Sequence, residues 1–435
     1  MALRFGTDGV RAEAFTVLTT DYVRALGAAA SQVLAVNAFV VGMDTRESGP
    51  ELLRAFAQGC LSNDVRVIDL GVVPTPAVAH MSAELGLPAA MLSASHNPWQ
   101  DNGVKLFSSG GLKLSDDEQD VIQNVLDQSA SLEDPDTEPE FATETIDPYR
   151  EAVIGSIKGS FDGVKVVLDS ANGSASTTAA GIFRSLGAEV VSLADQPDGR
   201  NINDGVGSTH PEFLQAAVLE HGADVGFAFD GDADRVAAVG ADGVVIDGDR
   251  IIAMTALDRR DQNRLADDTV VITVMANLGF RIAMEAEGLR LVETPVGDRY
   301  VLEALDAGGF SLGGEQSGHV IHRDLASTGD GVLTAVQLLD AAVRRSVDLG
   351  EWAAGVMTRY PQILENVRTD AKIPKLLERL APAIDAEEAA LGAEGRVLIR
   401  ESGTEPVVRV MVEAAEQADA EVSVQRLVDA VEQLA

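Results

Sequence analysis

Cysteine, lysine and aromatic residues are scarce in this sequence, and each scarcity narrows what the chain can be. Of its 435 residues only Cys60 is a cysteine, so no disulfide can form within the chain. Lysine occurs six times, and 69 acidic residues face 33 basic ones, which gives a formal charge of -36. Such a charge repels nucleic acid and anionic membranes. Because aromatics make up 4%, we expect a core of small aliphatic residues, as in α/β proteins.

Long hydrophobic runs are missing as well. The longest stretch without a charge, 25–43, contains Ser31, Gln32 and Asn37 and is typical of a helix, a turn and a strand. The N-terminal MALRFGTDG lacks the apolar segment of a signal peptide, so we expect a cytoplasmic location. A Gly-Lys pair does not occur, which excludes a P-loop.

One coarse unit, an apolar strand followed by a helix with a Gly- or Asn-containing entry, occurs three times. The units begin at Ala38, Val164 and Asp268. Strands that alternate with helices indicate parallel sheets with ligand sites at the carboxyl ends of the strands. The C-terminal segment changes to helix, paired strands and helix. We predict three related α/β domains with mixed sheets and a C-terminal α+β domain, with boundaries at 1–150, 151–256, 257–365 and 366–435.

Three aspartates alternate directly after an apolar strand, at Asp230, Asp232 and Asp234, and Arg235 follows; residues 230–235 are named the aspartate loop. Ionised carboxylates about 4 Å apart repel by roughly 4 kcal/mol per pair at a dielectric of about 20, so the cluster needs a cation. Oxygen ligands at this spacing suit Mg²⁺, with Mn²⁺ and Ca²⁺ as other options. An EF-hand is excluded, because the loop has arginine where that motif needs glycine. A solvated acidic turn is the alternative.

A serine and a histidine, Ser95 and His96, stand together in MLSASHNPWQDNGVKLF, residues 91–107. Pro98 disfavours a helix before it, so an apolar strand runs into a shaped loop. Lys105, one of the few lysines, follows. These residues are candidates for catalysis. The alternative is a chance Ser-His pair and a half-buried structural lysine.

Acidic, hydroxyl and imidazole side chains alternate with glycines in LGGEQSGHVIH, at Glu315, Ser317 and His319; residues 315–319 are named the sugar loop. Glycine lets backbone approach a ligand closely, and Glu and Ser suit the hydroxyl groups of a sugar. Ser317 is out of register for a G-x-S-x-G nucleophile. A polar hairpin is the alternative.

Two arginines flank a tight turn in RVLIRESGTEPVVRVMVE. Guanidinium groups bind phosphate in bidentate fashion, and the amides of a turn add partial positive charge. We predict a phosphate cradle, which supplies the local positive charge that an anionic ligand needs in so acidic a protein. Its members are Arg400, Ser402, Gly403, Thr404 and Arg409.

Five segments, in this order along the whole chain, resemble the motifs of the α-D-phosphohexomutase superfamily. Within that superfamily the chain is most similar to the bacterial phosphoglucosamine mutases. The resemblance implies four domains around a central cleft, with a motif from each. The segments are FGTDGVR (5–11), SASHNP (93–98), DGDADR (230–235), GGEQSGH (313–319) and RESGTEPVVR (400–409).

The resemblance also implies roles for the site residues. Ser95 would carry a phosphoryl group and complete one Mg²⁺ site with the three aspartates, while Arg235 would neutralise charge. The sugar loop, through Glu315, Ser317 and His319, would hold the sugar, and the phosphate cradle would bind the phosphate that does not react. Proton transfer or charge stabilisation is left open among Arg11, His96 and Lys105.

Two residues depart from the superfamily pattern. Ala12 and Ala233 stand where the motifs usually have glycine. A methyl group tolerates ordinary φ angles but not φ above zero. Either the loops do not need that conformation, or activity is reduced.

The implied function is interconversion of glucosamine 6-phosphate and glucosamine 1-phosphate through a bound 1,6-bisphosphate, which feeds amino-sugar nucleotide and cell-wall precursor synthesis. The partner is then a small phosphosugar, without nucleic acid or membrane, and a homodimer is left open. Three alternatives stay open: a phosphomannomutase or phosphoglucomutase, a metal-dependent phosphatase, and an inactive phosphosugar-binding regulator.

Overall fold

The computed structural model of the chain describes residues 3–4, 9–34, 36–128, 139–369, 371, 373–401 and 407–434. The chain divides into two compact units. Unit 1 comprises Met1–Met275 and Arg290–Gly355, and unit 2 comprises Ala276–Leu289 and Val356–Ala435. Within the described ranges, none of the helices combines the length and the hydrophobicity of a membrane span.

The first sheet of unit 1 has seven strands. Its strands are β1 (Val10–Glu13), β2 (Ala38–Met43), β3 (Arg66–Val72), β4 (Ala89–Leu92), β5 (Asp101–Ser108), β6 (Leu112–Lys113) and β7 (Phe141–Thr143). The order is β1-β5-β4-β2-β3-β7, with β6 on β5; β4, β2, β3 and β7 are parallel, and β5 is antiparallel to its neighbours. The accompanying helices are α1 (Thr20–Leu34), α2 (Gly49–Leu61), α3 (Thr75–Leu85), α4 (Asp116–Gln128) and α5 (Asp147–Gly155).

The second sheet of unit 1 has five strands. They are β8 (Lys165–Asp169), β9 (Glu189–Leu193), β10 (Val225–Phe229), β11 (Val236–Gly240) and β12 (Val245–Ile246). In the order β12-β11-β10-β8-β9, the last three are parallel and the first two are antiparallel additions. The helices are α6 (Ala179–Ser185), α7 (Pro211–His221) and α8 (Gly248–Asp261).

The third sheet of unit 1 repeats this plan with four strands. They are β13 (Thr269–Thr273), β14 (Arg290–Thr294), β15 (Leu312–Gly314) and β16 (Val320–His322). The order is β14-β13-β15-β16, in which only β16 is antiparallel. The helices along this part of the chain are α9 (Leu278–Ala286), which belongs to unit 2, α10 (Asp298–Gly308), α11 (Gly331–Arg345) and α12 (Leu349–Val356).

Unit 2 is built on a small antiparallel sheet. Its strands are β17 (Gln362–Arg368), β18 (Arg396–Glu401) and β19 (Val407–Glu413), in the order β17-β19-β18. The helices α13 (Leu376–Leu391) and α14 (Gln417–Glu432) pack their apolar residues on this sheet in one core. Short 3₁₀ turns lie at Ser174–Thr177, Ala266–Asp268 and Gly392–Glu394.

The central strands show why this sequence forms such sheets. Every residue of β4, β10 and β13 is buried, as is expected of strands covered on both faces. Cys60 is completely buried, and burial raises the pKa of its thiol. The predicted α/β fold with mixed sheets is confirmed. The domain boundaries stay a prediction, and the one between 365 and 366 falls inside β17.

Candidate active site

The loops that follow two central strands meet in unit 1. β4 ends at Leu92 and leads into residues 93–101, named the serine loop, while β10 ends at Phe229 and leads into the aspartate loop. Ser95 Oγ donates a hydrogen bond of 2.6 Å to Asp230 Oδ2, although the two residues are far apart in sequence. Both side chains are buried. The serine hydroxyl therefore faces the acidic cluster directly.

The three aspartates form a compact oxygen cluster. Asp230, Asp232 and Asp234 are all buried, and each offers a carboxylate oxygen within 4.8 Å of the other two. Asp232 Oδ1 and Asp234 Oδ1 are buried without a hydrogen-bond partner among the described residues. Buried carboxylate oxygens of this kind fit a hard divalent cation such as Mg²⁺. The cluster can hold a metal ion.

Lys105 brings a positive charge to the same cluster. Its Nζ lies 2.7 Å from Asp232 Oδ2 and 3.0 Å from Asp234 Oδ2. Thr75, at the start of α3, donates to Asp232 Oδ2 at 2.6 Å through its hydroxyl. Lys105 is thus neither an exposed nor a half-buried lysine, because only 3% of it is exposed. It partly neutralises two of the three acids.

Burial and neighbouring charges shift the pKa values of the acids in opposite directions. Burial raises the pKa of Asp230 well above its usual value, and the neighbouring carboxylates of Asp234 and Asp232 add to the rise. Burial also acts to raise the pKa of Asp234, but Lys105 and His319 outweigh it and hold that pKa well below its usual range. Asp230 therefore holds a proton more readily than Asp234 does.

His96 is held neutral beside the serine. Burial, together with the positive charges of Arg235 and Arg11, lowers its pKa to about 4, although Asp232 and Asp234 act to raise it. Its Nδ1 lies 3.3 Å from Ser95 Oγ. The imidazole therefore keeps a lone pair near pH 7, and its low pKa makes it a weak base.

Arg235 ends the aspartate loop and lies within electrostatic range of Glu315 in the sugar loop. Its backbone N–H donates to Asp230 Oδ1 at 3.2 Å, and its Nε lies 3.9 Å from Asp234 Oδ1. Burial acts to lower its pKa, but the charges of Asp234, Asp230 and Glu315 raise it, so the guanidinium stays charged. A permanent cation at this position can stabilise an anionic phosphoryl group.

The sugar loop turns between β15 and β16 and packs on β11. Gly318, at φ +87°, accepts a hydrogen bond from Val236 N, and a Cβ there would lie 2.1 Å from Val236 O. Only glycine fits this contact. Glu315 is half-buried and accepts from Gly297 N at 3.0 Å, whereas Ser317 is exposed. The loop therefore presents Ser317 to solvent next to a fixed acid.

His319 is buried between two acids. Its Nδ1 lies 3.6 Å from Asp234 Oδ1, and its Nε2 lies 3.6 Å from Asp298 Oδ2. Burial acts to lower the pKa of His319, but Asp234 and Asp298 together raise it. Asp298 also pairs with Lys113. His319 supports the acidic cluster and does not face solvent.

The two alanines that depart from the superfamily motifs differ in conformation. Ala233 has φ +57°, so its loop does require the left-handed conformation that glycine adopts without strain. Its carbonyl oxygen accepts from Gly331 N at 3.0 Å, and it is completely buried. Ala12 lies in the extended strand β1, opposite Asn102. Of the two alternatives, an ordinary φ holds for Ala12, whereas the aspartate loop does need positive φ at Ala233.

The predicted phosphate cradle lies in unit 2. Arg400 on β18 is directly opposite Arg409 on β19, and both are half-buried. Burial lowers the pKa of Arg400, and the charge of Arg409 lowers it further. Like charges at paired strand positions repel, so an anion between them would be stabilising. The remaining members, Ser402, Gly403 and Thr404, lie outside the described residues.

The structure adds residues that the motifs did not identify. Arg46 and Asn203 contact the serine loop, Thr75 contacts Asp232, and Asp298 contacts His319. Arg46 did carry a signal, because the charged run DTRE directly follows the buried strand β2, where ligand sites of α/β proteins lie. Asn203 carried none.

Comparison with known proteins covers almost the whole chain. Models of the phosphoglucomutase/phosphomannomutase family match residues 2–133 (alpha/beta/alpha domain I), 147–243 (domain II), 247–360 (domain III) and 364–430 (C-terminal domain). The chain belongs to this family.

Its relatives and structural neighbours agree with that assignment. Phosphoglucosamine mutases from Thermobifida fusca and Streptomyces griseus are each 50% identical over 99% of the chain, and the match covers 98% and 99% of those proteins. A phosphoglucomutase/phosphomannomutase family protein from Burkholderia thailandensis superimposes with a TM-score of 0.80 at 27% identity, covering 98% of this chain and 97% of its own. The N-acetylphosphoglucosamine mutase of Aspergillus fumigatus, solved with GlcNAc-6P and magnesium, shares the fold at a TM-score of 0.72 and 19% identity, over 100% and 96% of the two chains.

Proposed function

We propose that this chain is an isomerase that interconverts glucosamine 6-phosphate and glucosamine 1-phosphate by intramolecular phosphoryl transfer. The substrate follows from the relatives, which are half identical over their whole length and are phosphoglucosamine mutases. The chemistry rests on one observation: a buried serine hydroxyl lies 2.6 Å from an acidic cluster that can hold a cation. A serine in this setting can carry a phosphoryl group and pass it on.

In the forward direction, the phosphoserine at position 95 donates its phosphoryl group to the 1-hydroxyl of glucosamine 6-phosphate. The bond from phosphorus to Ser95 Oγ breaks, the bond from phosphorus to O1 forms, and the proton of O1 leaves to a base. The product is a bound 1,6-bisphosphate. It reorients, and in the second transfer the bond from phosphorus to O6 breaks while the bond from phosphorus to Ser95 Oγ forms. O6 takes up the proton that the base received from O1, and glucosamine 1-phosphate is released.

His96 is the proton acceptor that we propose for these transfers. It is neutral at pH 7, because burial lowers its pKa to about 4, and it already contacts Ser95 Oγ. Lys105 is held by two carboxylates and, together with Arg11, supplies positive charge instead. Positioning and charge neutralisation are the main tasks of a protein in phosphoryl transfer.

Asp230, Asp232 and Asp234 would hold one Mg²⁺, and an oxygen of the phosphoserine would complete its ligands. When bound, the ion neutralises negative charge on the transferring phosphoryl group. The two buried carboxylate oxygens without hydrogen-bond partners among the described residues support this assignment.

The rest of the substrate would be bound by the two other motifs. We assign the sugar hydroxyls to Glu315 and Ser317, with His319 behind them, because Glu315 is fixed by Gly297 and Ser317 is exposed. We assign the phosphate that does not react to Arg400 and Arg409, which are paired across two strands, together with Ser402, Gly403 and Thr404.

Phosphopeptide mapping tests the phosphoryl carrier. The enzyme is incubated with glucosamine 1,6-bisphosphate and Mg²⁺, digested and analysed by mass spectrometry. We expect one phosphate on Ser95, and we expect it to be transferred when glucosamine 6-phosphate is added. The Ser95→Ala variant should carry no phosphate at this position. Steady release of inorganic phosphate would instead indicate a phosphatase, and ligand binding without phosphate on Ser95 would indicate a binding protein.

A further inference from the structure

Arg46 is an arginine buried at the base of the serine loop. It follows β2, and only 1% of it is exposed. Beyond Asp44, its guanidinium donates hydrogen bonds to backbone oxygens of this loop. Guanidinium has a planar, rigid set of donors, which fixes the groups it binds in direction as well as in distance. The acceptors are the carbonyl oxygens of Ser95 (3.0 Å), Asn97 (2.8 Å), Asp101 (2.8 Å) and Pro98.

Asp44 completes this support from the other side of the guanidinium. It accepts from Arg46 Nε at 2.8 Å and from Ser93 Oγ at 2.6 Å. Ser93 Oγ in turn accepts from the backbone N–H of Ser95 at 2.9 Å. The carbonyl and the amide of Ser95 are therefore both tied to one buried ion pair.

Asn203 holds the same backbone from the second sheet's part of unit 1. Its Nδ2 donates to Ser95 O at 2.9 Å and to Asn97 O at 3.1 Å, two of the oxygens that Arg46 also contacts. Asn203 lies between β9 and β10, at φ +59°. The aspartate loop follows β10, so the loop that bears the serine is tied to the sheet that bears the acids.

Ser95 needs such support because its backbone is strained. Its φ is +54°, a region that residues with a Cβ adopt at a cost. A strained residue keeps its conformation only where the surrounding structure over-determines it. Relaxation of Ser95 to negative φ would rotate its Cβ and carry Oγ away from Asp230.

We propose that Arg46 and Asn203 are positioning residues, which hold Ser95 in its strained conformation so that Oγ stays directed at the aspartate loop during phosphoryl transfer. The inference rests on the proposed role of Ser95 as phosphoryl carrier. Neither residue touches the reacting atoms. Their loss therefore lowers the rate of the transfer step, with substrate binding little changed.

Asn203→Gly is the sharper variant, because glycine accepts φ +59° and only the amide is removed. Asn263→Gly is its matched control: Asn263 has φ +56° on an exposed turn after α8. We expect kcat per phosphorylated enzyme to fall about tenfold in Asn203→Gly with KM within about twofold, and to be unchanged in the control. Equal thermal stability of the two variants excludes a loss of folded enzyme.

Arg46→Lys tests the other support. Lysine keeps the charge next to Asp44 but cannot reach four carbonyl oxygens, so we expect kcat to fall about a hundredfold. The ³¹P chemical shift of the phosphoserine reports on its position, and we expect it to move in both variants but not in Asn263→Gly. Should Arg46→Lys fail to fold, Asn203→Gly alone decides.

The proposal is overturned if Asn203→Gly and folded Arg46→Lys keep wild-type kcat and the same phosphoserine shift. Ser95→Ala separates this outcome from failure of the proposed function. An inactive Ser95→Ala beside fully active positioning variants would reject the positioning role alone, whereas an active Ser95→Ala would reject the phosphoryl carrier itself.

Discussion

Ser95 in the serine loop and Ala233 in the aspartate loop have positive φ although neither is glycine, and each loop carries chemistry. The left-handed conformation costs a residue with a Cβ about 1–2 kcal/mol. Other contacts must therefore hold both loops in conformations that their local sequence disfavours. In the serine loop the strain directs a hydroxyl. In the aspartate loop the strained alanine separates Asp232 from Asp234 and receives a hydrogen bond from Gly331.

Replacing Ala12 and Ala233 by glycine should change the free energy of unfolding in opposite directions. Ala233→Gly removes the strain at φ +57° and should raise the free energy of unfolding by about 0.5–1 kcal/mol. Ala12→Gly weakens an extended strand and should lower it by about 0.5–1 kcal/mol. Thermal unfolding of both variants measures the difference. A destabilised Ala233→Gly would mean that the loop adopts an ordinary φ.

Removal of Lys105 should expose the repulsion within the acidic cluster. In the presence of a metal chelator, we expect Lys105→Met to lower the free energy of unfolding by on the order of 3 kcal/mol, because breaking a buried ion pair leaves uncompensated charge. Added Mg²⁺ should then raise the melting temperature more in the variant than in the wild type. Lys113→Met, which breaks the pair with Asp298 instead, is the control. Equal increments in all proteins would contradict the coupling between Lys105 and a metal ion at these aspartates.

At the scale of elements, helix α11 begins on a buried acid. Asp330 accepts from Leu333 N at 2.9 Å as the N-cap, and Tyr149 of α5 donates to its carboxylate at 3.1 Å. Burial raises the pKa of Asp330 to about 7, although these hydrogen bonds act to lower it. The next residue, Gly331, donates to Ala233, so the start of α11 supports the aspartate loop.

This acid should make stability depend on pH. The unfolded carboxyl titrates near its usual pKa of about 4, so from about pH 4 to 7 the unfolded chain loses a proton that the folded chain keeps. The stability contribution is complete below pH 4 and falls by up to about 4 kcal/mol as pH rises through 7. The asparagine of the Asp330→Asn variant is uncharged and can still cap α11. Between pH 5 and 8, the melting temperature of the wild type should therefore fall relative to that of the variant. A constant difference would contradict the raised pKa; Asp247→Asn, at the N-cap of α8, controls for the lost charge at a helix start.

At the scale of the whole molecule, the sequence predicted the sheets better than the contacts between them. The buried runs of β4 and β10, and the loops after them, follow from hydrophobic pattern and position. The short distance between Ser95 and Asp230 does not follow from these patterns, because it depends on how two sheets of unit 1 pack together. Roles in the site remain predictions from the family resemblance.

Long-range packing also explains what was missed. The position of Arg46 directly after β2 is a sequence signal, but its complete burial follows from no local pattern, because its partners are carbonyl oxygens about 50 residues onward. The φ of Ala233 depends on its contact with Gly331, and the burial of Lys105 on the aspartates of another sheet. The contacts of these residues could not be predicted from the sequence, because they involve residues that are distant along the chain.

The central claim is that Ser95 passes a phosphoryl group between the two ends of glucosamine phosphate. ³¹P NMR of the purified enzyme with Mg²⁺ and a trace of hexose 1,6-bisphosphate tests it, with glucosamine 6-phosphate, mannose 6-phosphate and glucose 6-phosphate in separate samples. We predict rapid appearance of the 1-phosphate from glucosamine, far slower conversion of the other two, and less than about a hundredth of this rate in Ser95→Ala. No 1-phosphate from any sample, or an active Ser95→Ala, would contradict the account.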